Sequence, residues 1–175
     1  MSRRDAAMEH DAASLAFMAT FTFLVTYAVI TDVKRLIIPN WVSVALVALF
    51  VAFLLFDPKP LSPLQHAAVA ALVVLLGFAV FAAGFMGGGD VKLIAAVALW
   101  TGPDMVLPFF LYMSLAGAAL ALVIIAGSLY LRWDGSGEPA TGWSRLFPRW
   151  VRRGLTPYGF AIGVGALATV PARFF

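Results

Sequence analysis

Cysteine is absent from this 175-residue chain, which removes disulfides, CxxC zinc sites and thiol nucleophiles together and leaves the redox compartment open. Charge is nearly as scarce. Only 12% of residues are charged while 62% are hydrophobic, and the mean hydropathy is +0.94. A soluble domain must solvate its surface, so this composition excludes that class and describes a polytopic membrane protein. Histidine is limited to His10 in a polar N-terminal stretch and His66 after a proline-rich segment. Isolated histidines of this kind are interfacial or solvated, so no metal site is expected, and no cofactor is implied. The pI near 9.6 does not point to nucleic acid, because the basic residues are spaced between apolar runs rather than gathered on one face. No internal repeat is visible. The opening MSRRDAAMEHDAAS mixes both charge signs and leads into Thr31-Asp32 without a small-residue cleavage site, which predicts a permanent first helix rather than a cleaved signal.

What is present is a series of apolar runs. A spanning helix needs about 20 apolar residues, and the pattern predicts an all-α bundle of about six transmembrane helices, near 14–31, 41–56, 64–86, 91–102, 105–131 and 155–172. The breaks fall at Pro39-Asn40, Asp57-Pro58-Lys59-Pro60 through Pro63, Gly87-Gly88-Gly89 and Gly102-Pro103, residues that do not extend a helix cheaply. The fourth segment is short: twelve residues cover roughly 18 Å, against a hydrocarbon core near 30 Å. The glycine loop before it is therefore expected to line a wet cavity, where irregular backbone is tolerated. The residues 1–175 are read as one membrane-embedded unit with a single long polar connection at 132–154. Trp143, Leu146, Phe147, Trp150 and Val151 recur there at helical spacing, interrupted by Pro148, with Arg145, Arg149, Arg152 and Arg153 between them, which reads as a basic loop anchored at the lipid interface in preference to a substrate-binding element.

Lys and Arg set orientation. With the N-terminus outside, Lys34, Arg35, Lys92, Arg132, Arg145, Arg149, Arg152 and Arg153 are cytoplasmic, while Arg3, Arg4, Lys59 and Arg173 are external. The bias favours six spans with both termini out, and it puts Asp32 and Asp90 at the same, cytoplasmic, face.

Those two aspartates carry the chemistry. An ionisable group at full membrane depth costs roughly 2.5–3.5 kcal/mol on insertion scales, so its presence beside an apolar run reads as functional. Asp32 lies in AVITDVKRLIIPN and Asp90 in AGFMGGGDVKLIAA, where three glycines are expected to adopt backbone conformations closed to other residues and to admit a substrate chain. Paired carboxylates can divide the work of base and acid, one ionised and one protonated. No competing nucleophile is placed as well. Ser43 and Ser114 lie in apolar helices with no histidine nearby and are expected to bond to the backbone. Asp57, Asp104, Asp134 and Glu138 read as solvated loop charges. Lys92 either tunes Asp90 or snorkels to the headgroups.

Asp32 followed by IPN, GGGDVKL at 87–93 and TPYGFAIGVGAL at 156–167 resemble, in the same order and over nearly the whole chain, the prepilin peptidases in their short form serving tight-adherence (Flp-type) pili. The resemblance implies an aspartyl endopeptidase of the bacterial inner membrane, with no cofactor. Such an enzyme cuts pilin precursors at the cytoplasmic face, after a glycine that ends a basic leader and precedes an apolar helix. By position it makes Asp32 and Asp90 the catalytic pair, places Gly87, Gly88, Gly89 and Lys92 in the active-site loop, and gives Pro39, Asn40, Pro157, Tyr158 and Gly159 supporting roles. Gly159 and Gly163 also fit GxxxG packing of helices. Larger family members carry an N-terminal cytoplasmic insertion, often with paired cysteines, and methylate their product. This chain has neither, so methylation is not expected. The competing reading is a small proton-coupled transporter or channel subunit, since membrane carboxylates also serve proton relays.

Overall fold

The computed structural model describes residues 3–56, 61–133 and 156–174, with side chains described for 12–56, 61–129 and 156–172. Most of the expected 132–154 connection, with Asp57, Lys59, Asp134 and Glu138, lies outside the described residues. Those described form helices and their joints, with no strand among them: α1 (Arg3–Arg35), α2 (Asn40–Phe56), α3 (Pro63–Ala82), α4 (Gly88–Trp133) and α5 (Tyr158–Phe174). The stretches Ala12–Arg35, Pro63–Ala82 and Gly88–Leu129 are long and apolar enough to cross a membrane, and α2 and α5 are shorter apolar helices.

α4 is one helix only nominally. Gly102 has φ 59° and ψ −167°, a backbone region open essentially to glycine alone, and Pro103 follows it. The second arm of α4 runs back beside α5, with Gly117 near Ala161 and Phe109 against Gly165. α5 in turn runs antiparallel to α1, with Gly159 against Asp32 and Gly163 against Val29. The reversal at Gly102 therefore resolves α4 into the two separate segments that the Gly-Pro break predicts.

The first arm is the hub. Val91, Leu93 through Ala98, Trp100 and Thr101 are all buried, as expected for a helix that is apolar around its circumference. Phe21 of α1 and Phe50 and Phe53 of α2 pack their rings on Trp100 at centroid distances of 5.1, 5.5 and 5.6 Å. The outer surface stays greasy: Leu55, Leu64 and Leu107 are 78, 80 and 76% exposed. An apolar surface of this extent fits lipid rather than water.

Three expectations change here. α1 begins at Arg3, well before residue 14, because the Ala-rich polar stretch is itself good helix-forming sequence. α3 ends at Ala82 rather than 86. Gly84, at φ 78°, makes a Schellman stop there: its N–H donates to the Phe81 carbonyl at 2.9 Å and the Phe85 N–H to the Val80 carbonyl at 3.2 Å. His66 is neither interfacial nor solvated. It is 1% exposed, stacked on Phe50, with Nδ1 donating to the Leu99 carbonyl at 2.7 Å. That carbonyl would ordinarily accept from the amide four residues on, which is Pro103 and has no N–H, so the imidazole supplies the missing donor.

Candidate active site

The end of α1 and the starts of α2, α4 and α5 meet at the other end of the bundle from His66, and each places one part of the site. α1 stops at Leu36, whose φ of 56° puts it in the left-handed region. Its N–H donates to the Asp32 carbonyl at 2.7 Å, the single bond of an αL cap formed here by a leucine instead of the usual glycine. The turn sends Leu36, Ile37 and Ile38 along one wall of a pocket before α2 begins at Asn40.

α4 starts at the glycine run. Gly87 is its N-cap, with its carbonyl accepting from Val91 N–H at 3.2 Å. Asp90 stands three residues on, and its Oδ2 reaches back to accept the Gly87 N–H at 3.2 Å, the acidic half of a capping box. α5 starts at Tyr158, and the Gly159 N–H in its first turn donates to Asp32 Oδ2 at 2.7 Å. Each carboxylate is thus held by a backbone amide that a helix N-terminus leaves without an internal partner.

Asp32 and Asp90 line the same pocket, of about 240 Å³, with Leu36, Ile37, Ile38, Asn40, Gly87 and Gly89. Asp32 is 4% exposed and Asp90 half-buried. Because a backbone amide occupies Oδ2 of each, Oδ1 of each is left for a water molecule or a shared proton. A larger cavity of about 390 Å³ between α3 and α4 is lined by apolar residues such as Leu72, Met86 and Phe110, with no group able to move a proton.

The glycines do their work differently from expectation. Among the described residues the glycines with positive φ are Gly84 and Gly102, not the 87–89 run. That run opens a helix rather than forming a strained loop. What it provides is room: a Cβ on Gly87 would lie 2.9 Å from Asp90 Oδ2, and one on Gly89 would touch Ile38 at 3.4 Å. Gly88 faces away, toward the Phe81 ring at 3.5 Å. Gly159 is the tightest of the set at the site, since a Cβ there would sit 2.8 Å from both Cβ and Oδ2 of Asp32.

The remaining expected residues divide. Lys92 is exposed, and its Nζ donates to Asn40 Oδ1 at 3.0 Å. Pro39 and Pro157 offer carbonyls to Val42 and Phe160 at 3.1 and 3.2 Å, shaping the starts of α2 and α5. Tyr158 is 39% exposed and lies outside the pocket lining. Asp104 belongs to the first turn of the second α4 arm, not to a loop, because the helix resumes directly at Pro103, a residue suited to a helix start. Ser43 does not bond to the backbone. Its Oγ is buried without a hydrogen-bond partner among the described residues. Sequence reasoning passed over Leu36 and Ile37 and took Ile38 only as part of the IPN motif, whereas all three line the pocket.

No group of three or more His, Cys, Asp or Glu able to hold a metal ion occurs among the described residues. A family model described as the type IV leader peptidase family matches residues 19–122, a span that includes Asp32, Asn40 and Asp90 and excludes Gly159. No curated protein and no solved structure matches the chain.

Proposed function

Because the chain belongs to the type IV leader peptidase family, whose match covers more than half of it, we propose that it is an aspartyl endopeptidase that removes the leader from pilin precursors. The observation that supports this reading is the meeting of Asp32 and Asp90 in one pocket, each anchored through Oδ2. In the proposed reaction the two free oxygens hold a water molecule and one proton. The ionised carboxylate takes a proton from the water, whose oxygen attacks the carbonyl carbon of the scissile peptide. The protonated carboxylic acid gives its proton to the leaving amine as the C–N bond breaks, and the dyad ends with one proton, as it began. Rate then falls at acid pH, where both carboxyls are protonated, and at alkaline pH, where neither is. The transporter reading fits less well. A relay needs ionisable groups at successive depths, whereas the other buried titratable side chain among the described residues, His66, lies at the far end of the bundle with Nδ1 committed to Leu99.

In this reading the substrate is a Flp-type prepilin, cut after a glycine at the cytoplasmic face of the inner membrane, and the chain spans that membrane six times with both termini outside. One experiment tests reaction and side together. A precursor with a basic leader, a glycine and an apolar helix is added to inverted and to right-side-out membrane vesicles containing the protein, and the products are weighed by mass spectrometry. Cleavage after the glycine in inverted vesicles alone is the expected result. Cleavage only in right-side-out vesicles, or at a different bond, contradicts it.

A further inference from the structure

Asn40 lines the candidate catalytic pocket with the two aspartates, yet it has no part in the dyad. Its side chain is exposed, and its contact with Lys92 shows which end of the amide faces the lysine. Lys92 Nζ lies 3.0 Å from its Oδ1, and an ammonium carries donors only, so the atom facing it must be the carbonyl oxygen and not the amide nitrogen. The NH₂ group is therefore turned away from Lys92. Among the described residues it has no hydrogen-bond partner. α2 begins at Asn40 itself, and the first backbone bond there runs from the Val42 N–H to the Pro39 carbonyl at 3.1 Å, so the side chain is not needed as a cap.

When water adds to the scissile carbonyl, the carbonyl oxygen gains negative charge. The one protonated carboxyl of the dyad can donate to that oxygen, but its proton then goes to the leaving amine, so a second donor that keeps its hydrogen adds stabilisation the dyad alone does not sustain. Preorganised donors aimed at that oxygen serve this purpose in acyl-transfer sites. The Gly87 and Gly159 amides are already spent on the aspartates, whereas Asn40 brings a side-chain donor to the same pocket.

We propose that Asn40 is a catalytic residue whose Nδ2–H donates to the scissile carbonyl oxygen as it becomes an oxyanion, and that Lys92 is the positioning residue that fixes the amide. No proton leaves Asn40: the hydrogen bond strengthens as charge develops and relaxes when the carbonyl reforms. The positive charge two residues beyond Asp90 thus acts through Asn40, which accounts for an exposed lysine turned to a neutral amide instead of to the adjacent carboxylate. The inference rests on the peptidase reading above.

The test is steady-state cleavage of the same leader–glycine–helix precursor by the purified full-length protein in detergent micelles. Removing one oxyanion donor costs on the order of a hundredfold in kcat, so Asn40→Ala should lose about that much with KM little changed. Lys92→Met should lose less, Lys92→Arg should retain most activity because it still donates, and Asn40→Ala/Lys92→Met should be no slower than Asn40→Ala. Losses that multiply in the double variant, or a KM effect without a kcat effect, overturn the proposal. Asp90→Asn is run alongside to separate the two claims. If Asp90→Asn is inactive while Asn40→Ala works normally, the role of Asn40 is wrong and the dyad stands. If Asp90→Asn cleaves normally, the dyad is wrong and the Asn40 proposal falls with it.

Discussion

Two glycines hold the two carboxylates, and they should fail differently when a methyl group is added. At Gly87 the new Cβ would meet only the tip of Asp90, 2.9 Å away, and a carboxylate on rotatable bonds can swing aside. Gly87→Ala should therefore fold normally and lose kcat, since a displacement of about 1 Å costs on the order of a hundredfold. At Gly159 the collision includes the Asp32 Cβ, which moves only with the helix that carries it. Gly159→Ala should lower the thermal unfolding temperature as well as activity, with an overpacking cost of roughly 1–3 kcal/mol. Equal unfolding temperatures for the two variants, measured in the same detergent, would contradict the distinction. The aspartates were legible in the sequence because charge beside apolar runs is conspicuous. The part played by Gly159 was not, because its bond to Asp32 joins residues 127 apart in the chain. Nor could sequence tell which use a glycine serves. The run at 87–89 provides close approach, while the positive φ expected there occurs at Gly84, at Gly102 and, without any sequence signal, at Leu36.

At the scale of helices, Gly102 decides the architecture. Carried straight, the 46 residues of α4 would be roughly 69 Å long, more than twice a hydrocarbon core of about 30 Å. The reversal at Gly102 brings the second arm back along α5 and leaves the Leu99 carbonyl to His66. Gly102→Ala should cost roughly 1–3 kcal/mol, because a residue with a Cβ is strained in that region of φ and ψ. Chemical denaturation followed by tryptophan fluorescence measures this through Trp100, and an unchanged midpoint would argue that the reversal does not depend on glycine. The Gly-Pro pair announced this break in the sequence, and Pro39-Asn40 announced the start of α2. The early stop of α3 was not read, because Gly84 sits within an apolar stretch and its Schellman bonds depend on φ. His66 was misjudged for a related reason. Proline-induced loss of a donor at one helix creates a demand that a distant helix meets, and neither sequence segment shows it alone.

For the whole molecule, the up-and-down course of the helices brings the end of α1 and the starts of α2, α4 and α5 to one end of the bundle, and the site is assembled only there. Composition and the apolar runs sufficed to establish an all-α membrane protein, and the family match over residues 19–122 agrees with the resemblance to prepilin peptidases carried by Asp32, IPN and GGGDVKL. That match ends before α5, so the amide that anchors Asp32 lies beyond it. The central claim is that Asp32 and Asp90 form one catalytic unit, and isosteric replacement tests it most directly. Asp→Asn preserves size and removes the titratable proton. Cleavage of the precursor is measured for Asp32→Asn, Asp90→Asn, the double variant and Asp104→Asn, each purified in folded form. The account predicts that each single replacement abolishes cleavage, that the double is no worse than either because losses within one unit do not add, and that Asp104→Asn retains activity. Near-normal cleavage by folded Asp32→Asn or Asp90→Asn would contradict it.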